Sequence, residues 1–196
     1  MEKLVTILSK DPSVVVHEGV LSQEECQHII NIGQGVLFPA QTQGGMSEVR
    51  ISDTAWLEHH TDPLILTLSE RIATLVGRPL SHAEPLQVAR YRVGGKFEPH
   101  IDCYDTRSEG GNYFFSIAGQ RVHTAILYLN DTLKGGETYF PDLGFDITPK
   151  TGNVLIFDNC YNGTIDAHPL SIHGSRVLEE GEKWITTLWF TERPHY

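Results

Sequence analysis

From residue 84 onward the chain is built of short segments that suit a β-sheet. LQVARYR (86–92), RVHTAILYLN (121–130), NVLIFDN (153–159) and KWITTLWF (183–190) are rich in Val, Ile, Thr and aromatic residues. KFEPHID (96–102) and GETYFP (136–141) read as shorter strands, and turns carrying Gly or Pro separate the set. The first 80 residues read differently. SVVV (13–16) predicts a short strand. Ser22 opens a capping box with Glu25, which predicts a helix to about Gly33. Asp62 followed by Pro63 marks a second helix start. Ile65, Leu68, Ile72 and Leu75 then recur at helical spacing until Gly77 and Pro79. Residues 34–50 read as loop plus a short strand, and 103–120 as a long connection of the kind that forms lids. A chain of 196 residues fits one domain. The expected architecture is mainly β with flanking helices: a helical flank and loops over 1–80, packed on a sandwich or jelly-roll core over 84–196.

The chemistry is concentrated in the run PHID. On an extended strand, His100 and Asp102 are two residues apart and share one face. An imidazole and a carboxylate there make two thirds of a metal site. A second His from a distant strand completes a two-histidine, one-carboxylate set, whose open positions favour non-haem Fe(II). His173 and His168 are the two candidates for that third ligand. Lys183 follows His173 as a cation inside a strand-like, apolar run.

The order and spacing of several blocks resemble the catalytic domain of the prolyl 4-hydroxylase family of Fe(II)/2-oxoglutarate dioxygenases. The blocks are LSQEEC, EVRISDT, EPLQVARYRVGGKFEPHID, QRVHTAILYLNDTLKGGETYFP, ITPKTGNVLIFDN and SIHGSRVLEEGEKWITTLWF, and they span nearly the whole chain. The resemblance implies a double-stranded β-helix (jelly roll) with the metal between its sheets. It implies His100, Asp102 and His173 as ligands, favouring His173 over His168. It implies Lys183 as the partner of the distal 2-oxoglutarate carboxylate, with Tyr91 and Thr138 helping to hold that cosubstrate. It places Arg50, Arg121 and Trp189 along the substrate side. The implied reaction consumes 2-oxoglutarate and O2, with ascorbate as reductant, and hydroxylates a prolyl residue at carbon four in a peptide or protein. Phe97, Thr191 and the pair Arg176-Val177 depart from the family pattern, all on or near the substrate side.

Two other readings keep parts of this picture. In one the acceptor is a free amino acid or a small derivative; in the other the fold is a silent binding module, against which the intact ligand set and Lys183 argue. The formal charge of −10 disfavours nucleic acid and anionic membrane as partners. Cys26, Cys103 and Cys160 form no CxxC pair, and so odd and sparse a set argues against a disulfide framework. With an N-terminal apolar run too short for a leader, the expected location is cytoplasmic.

Overall fold

The computed structural model describes residues 4–40 and 49–196. A hairpin of β1 (Val5–Lys10) and β2 (Ser13–His17) leads into α1 (Gln23–Gln34). The capping box forms: the Glu25 amide donates to Ser22 Oγ (3.1 Å), and the Ser22 amide donates to the Glu25 carboxylate (2.8 Å). Short strands β3 (Phe38–Pro39) and β4 (Arg50–Ile51) precede β5 (Asp53–Leu57). Then comes α2 (Pro63–Val76), whose first amides donate to Asp62 and which ends on Gly77 at φ +75°. β6 (Leu86–Tyr91) and β7 (Lys96–His100) lead to α3 (Glu109–Ala118). The remaining strands are β8 (Arg121–Tyr128), β9 (Lys134–Gly135), β10 (Thr138–Phe140), β11 (Phe145–Ile147), β12 (Val154–Asp158), β13 (His173–Ser175), β14 (Leu178–Glu180) and β15 (Lys183–Thr191).

Two sheets face each other. The larger runs β1-β2-β12-β8-β15-β6-β5-β3, the smaller β11-β10-β13-β7-β4, and β14 and β9 form a separate ribbon. Strand alternation sorts the side chains. Ala125 and Leu127 of β8 and Leu188 and Phe190 of β15 face α1 and α2, against Ile29, Ile65, Leu68 and Ile72. Ile126, Tyr128 and Ile185 point the other way, into the space between the sheets, against Phe140, Ile147 and Phe157. The helices lie close: a Cβ on Gly33 of α1 would come within 2.8 Å of Val88 on β6. With two sheets face to face, helices on the outer face and the sheet edges open, this is the expected jelly-roll class. Among the described residues no helix is long and apolar enough to cross a membrane.

Two expectations need correction. Residues 1–80 are more than a helical flank: β1, β2, β3 and β5 extend the large sheet, and β4 edges the small one. Strand β1 lacks a buried face and therefore shows no alternating pattern to read. The long connection 103–120 contains α3. Ser108 caps this helix by accepting from the Gly111 amide (3.0 Å). Gly111 answers a spatial need, because a Cβ there would collide with the Asp105 carbonyl. Of the predicted loop 34–50, residues 41–48 lie outside the described residues.

Ile72, fully buried between α2 and the sheet, provides a test of this packing. Ile72→Ala is expected to lower unfolding stability by about 2–5 kcal/mol, read as a lower denaturant midpoint with an unchanged slope.

Candidate active site

The site begins with strand register. β13 pairs antiparallel with β7, and His173 lies directly opposite His100. Their ring centroids are 4.5 Å apart. Gly174 makes this approach possible: a Cβ there would meet the Phe97 carbonyl at 2.7 Å and the Tyr139 ring at 2.8 Å. Asp102, just past the end of β7, turns its carboxylate between the two imidazoles. Oδ1 is 3.4 Å from His100 Nε2, and Oδ2 is 3.7 Å from His173 Nε2. One ligand atom from each of the three lies within 4.8 Å of the others.

The donors are prepared for a cation. His100 Nδ1 is 2.9 Å from the Glu98 carbonyl, and His173 Nδ1 is 3.0 Å from that of Ser171. A carbonyl can only accept, so each Nδ1 carries the hydrogen and each Nε2 presents its lone pair to the centre. Asp102 Oδ2 accepts from the Thr124 hydroxyl (2.7 Å), and Thr124 is itself bonded to the Asn159 amide (2.8 Å). Burial alone would raise the Asp102 carboxyl. His173, His100 and Arg121 outweigh it and hold the group well below the usual carboxylate range. Burial pushes His173 down to about 4, so the ring is neutral at pH 7, as a metal ligand must be. Phe97 stacks on His100 at 3.7 Å, while Phe140 and Phe157 wall His173. His168 stands outside this group. Its Nδ1 accepts from the Leu170 amide (3.2 Å), its Nε2 faces Asp11 (3.4 Å), and its ring packs on Tyr161.

Deeper between the sheets lies Lys183, 1% exposed. It pairs with Tyr91 across β15 and β6, and its Nζ is 5.1 Å from the Tyr91 ring centre. Nζ donates to Ser175 Oγ at 2.9 Å. Burial pushes its pKa down to about 7, against a smaller opposing pull from Glu137. Thr138 Oγ1 accepts from the Tyr128 hydroxyl (2.9 Å), which leaves the Thr138 hydrogen free for a further acceptor. Tyr91, Thr138, Ser175 and Lys183 line one narrow pocket with His100, Asp102 and His173. Its volume of about 40 Å³ holds roughly three waters. Sequence reading missed Ser175 and Tyr128. Alternation offered a signal for both: Ser175 is two residues from His173, and Tyr128 follows Thr124 and Ile126 at two-residue steps.

Outward from His100, Asp102 and His173 the site opens into a cavity of about 580 Å³, lined by Arg50, Trp56, Glu84, Gln87, Tyr104, Arg121 and Trp189, among others. All three residues expected on the substrate side therefore meet there. Both arginines are already engaged. Arg121 donates through Nε and Nη2 to the two Glu84 oxygens (2.6 Å each), and its guanidinium lies 4.0 Å from the Trp189 ring centre. Arg50 donates to Gln87 (2.8 Å) and Ser52 (3.0 Å), over the Phe97 ring. Glu84 and Gln87 carried no signal in the sequence, because their partners, Arg121 and Tyr104 for Glu84 and Arg50 for Gln87, are brought to them only by folding.

Comparison with known proteins agrees with this geometry. Residues 86–191 match the profile of the 2OG-Fe(II) oxygenase superfamily. A candidate prolyl 4-hydroxylase of Acanthamoeba polyphaga mimivirus is 34% identical over 91% of this chain and 74% of its own length. Prolyl 4-hydroxylase 5 of Arabidopsis thaliana is 31% identical over 96% of this chain and 72% of its own. The viral collagen prolyl hydroxylase of Paramecium Bursaria Chlorella virus-1, solved with 2-oxoglutarate, superposes with a TM-score of 0.72 at 25% identity, covering 90% of this chain and 94% of that one. A prolyl hydroxylase from Trichoplax adhaerens, solved with a peptide of hypoxia inducible factor, shares the fold (TM-score 0.67, 19% identity, 91% and 83% covered). A histidine pair set by strand register, a carboxylate between them and a buried lysine below thus accompany a family-wide sequence match: the chain belongs to the prolyl 4-hydroxylase family of Fe(II)- and 2-oxoglutarate-dependent oxygenases.

Proposed function

We propose that this chain hydroxylates prolyl residues at carbon four in a peptide or protein substrate, with 2-oxoglutarate and O2 as cosubstrates and ascorbate as the reductant that keeps iron ferrous. The observation that carries the reading is the convergence of His100, Asp102 and His173 above Lys183 in one pocket. Bound Fe(II) and 2-oxoglutarate supply the oxidising power, as the cosubstrate loses CO2 to become succinate and one oxygen atom ends on the substrate carbon.

The chain's own residues do the positioning. His100, Asp102 and His173 would hold the metal, each offering one ligand atom. Lys183 makes a charge-assisted bond to the distal carboxylate of the cosubstrate, with the Thr138 and Tyr91 hydroxyls beside it. Lys183 Nζ has three N–H donors, so its bond to Ser175 leaves others for that carboxylate. Phe97, Phe140 and Phe157 keep water from the centre. The outer cavity is large enough for a prolyl ring and its neighbours, which favours a peptide over a free amino acid. Trp189 and the stacked Arg121 form its wall, and Arg50 stands at its rim. The sparse, odd set of three cysteines supports a cytoplasmic setting.

Mass spectrometry of proline-containing peptides incubated with protein, Fe(II), ascorbate and 2-oxoglutarate tests the reading as a whole. Gain of one oxygen on Pro is expected; gain only on free amino acids would replace the peptide substrate. Within that assay His100→Ala, Asp102→Ala and His173→Ala are expected to abolish turnover and iron binding, whereas His168→Ala retains both. Full activity in His173→Ala would remove it from the ligand set.

Thr124→Val removes the hydroxyl that holds Asp102 while keeping the strand. Its dissociation constant for a divalent metal is expected to rise about 10- to 100-fold. An unchanged constant, with wild-type circular dichroism, would leave Thr124 without a part in metal binding.

Lys183→Ala is expected to weaken 2-oxoglutarate binding by about 1.5–3 kcal/mol and leave metal affinity intact. The pH dependence follows from burial. Free Lys183 loses its proton near pH 7. An anionic partner raises that pKa, so affinity is full below about 7 and falls as pH rises toward the bound value, by up to about tenfold per unit. Calorimetry at pH 8 in buffers of different ionisation enthalpy is expected to show proton uptake on binding. Affinity independent of pH from 6 to 9 would contradict this.

A further inference from the structure

The three cysteines are not equivalent. Cys26 is buried on α1, with its thiol toward the Tyr128 carbonyl. Cys103 and Cys160 are 57 residues apart in sequence, yet their sulfurs are 3.6 Å apart. Both thiols also approach a single carbonyl, that of Arg121, at 3.6 Å each. They stand in the wall between two cavities. Cys103 lines the outer cavity of the active site, and Cys160 lines a second cavity of about 520 Å³ beside His123 and Asp158. A small oxidant therefore has a route to the pair.

Their chain neighbours matter as much as their distance. Cys103 directly follows Asp102, and Cys160 directly follows Asn159. Asp102, Thr124 and Asn159 are joined by hydrogen bonds of 2.7 and 2.8 Å. We propose that Cys103 and Cys160 are a modification site: a two-electron oxidant links them in a reversible disulfide that displaces Asp102 and loosens the metal site.

Disulfide formation brings the sulfurs to about 2.05 Å, a closure of about 1.5 Å. That movement is taken up by the backbone on either side. The Asn159 amide donates to Val122 (2.9 Å), its carbonyl accepts from His168 (2.8 Å), and the Tyr104 amide donates to Gln120 (2.6 Å). These bonds hold the outer flanks, so the shift falls on Asp102 and its contact with Thr124. The chemistry balances with a peroxide as oxidant. One thiol is oxidised to a sulfenic acid and one water leaves. The second sulfur attacks it, the S–S bond forms, and the hydroxyl departs with the remaining proton as a second water. A dithiol reverses the step by exchange.

The test uses the iron-loaded protein and diamide, whose N=N bond takes up the two thiol hydrogens without peroxide–iron side reactions. Peptide mapping without reduction is expected to show one cross-link, Cys103 to Cys160, with loss of the mass of two hydrogens and Cys26 left free. Metal affinity is expected to fall about 10-fold or more, the scale of a disturbed outer-shell contact, and to return with dithiothreitol. Cys26→Ser is expected to keep the cross-link and Cys160→Ser to prevent it, with metal affinity then indifferent to diamide. Single adducts on Cys103 or Cys160 without a cross-link would overturn the proposal, as would a cross-link that leaves metal affinity unchanged. The cross-link is read independently of turnover. The affinity arm rests on Asp102 as a ligand, and Asp102→Ala in the preceding assay fails or succeeds separately.

Discussion

The pairing of His173 with His100 across β13 and β7 is the constraint on which the active site depends. Two imidazoles on facing strands, each with Nδ1 tied to a backbone carbonyl, have their orientation fixed by the sheet itself. The carboxylate then needs only to reach between them from the end of β7. Gly174 is the condition for that register, because β13 passes within Cβ distance of the Phe97 carbonyl and the Tyr139 ring. A site built on ladder hydrogen bonds is held more firmly than one carried on loops, which suits a metal that must keep open positions.

Beneath it, β15 decides where the lysine goes. Every residue of this strand is buried, because α1 and α2 cover one face of the large sheet and the small sheet covers the other. Trp184, Leu188 and Phe190 face the helices. Lys183, Ile185, Thr187 and Trp189 face the pocket. A cation at the first position of such a strand has no route to solvent, and its lowered pKa records the cost. A cosubstrate carboxylate would relieve it. The stability lost by burying an amine whose hydrogen-bond partner among the described residues is the neutral Ser175 hydroxyl is thus retained as binding energy for an anion.

How much of this was legible depends on the distance over which each signal acts. His100 and Asp102 were readable from a two-residue spacing, α1 from its capping box, and α2 from its cap and its helical spacing of apolar residues. The third candidate ligand was not readable from periodicity, since His173 and His168 differ only in which one meets β7, and 73 residues separate His173 from His100. The order of the family's blocks favoured His173, the histidine that the fold brings beside His100 and Asp102. Helix α3 was hidden by its two glycines, of which Gly111 serves packing against Asp105. The thiol pair, the Thr124–Asn159 contact and the Glu84–Arg121 pair were invisible for one reason: each joins segments far apart in sequence, Thr124 to Asn159 through the β8–β12 pairing, Glu84 to Arg121 across β15, and Cys103 to Cys160 from the ends of β7 and β12.

That strand, β8, ties the levels of the site together through an irregularity. Strict alternation would send Arg121 and Thr124 to opposite faces. The register between β15 and β8 slips by one residue at the start of β8, where Phe190 pairs with His123 but Thr191 pairs with Arg121. A bulge of this kind re-aims the residue before it. Arg121 thereby joins Thr124, Ile126 and Tyr128 on the inner face. Its side chain walls the outer cavity, its charge helps keep Asp102 ionised, and its carbonyl receives both thiols. Three residues on, Thr124 holds the carboxylate. Four further, Tyr128 orients the Thr138 hydroxyl at the floor. Because β12 and β15 flank β8 along its length, none of these groups can move far alone. Arg121, whose carbonyl both thiols approach, and Thr124, which holds the carboxylate of the residue preceding Cys103, thus lie on one strand, so the thiol pair and Asp102 share the same support.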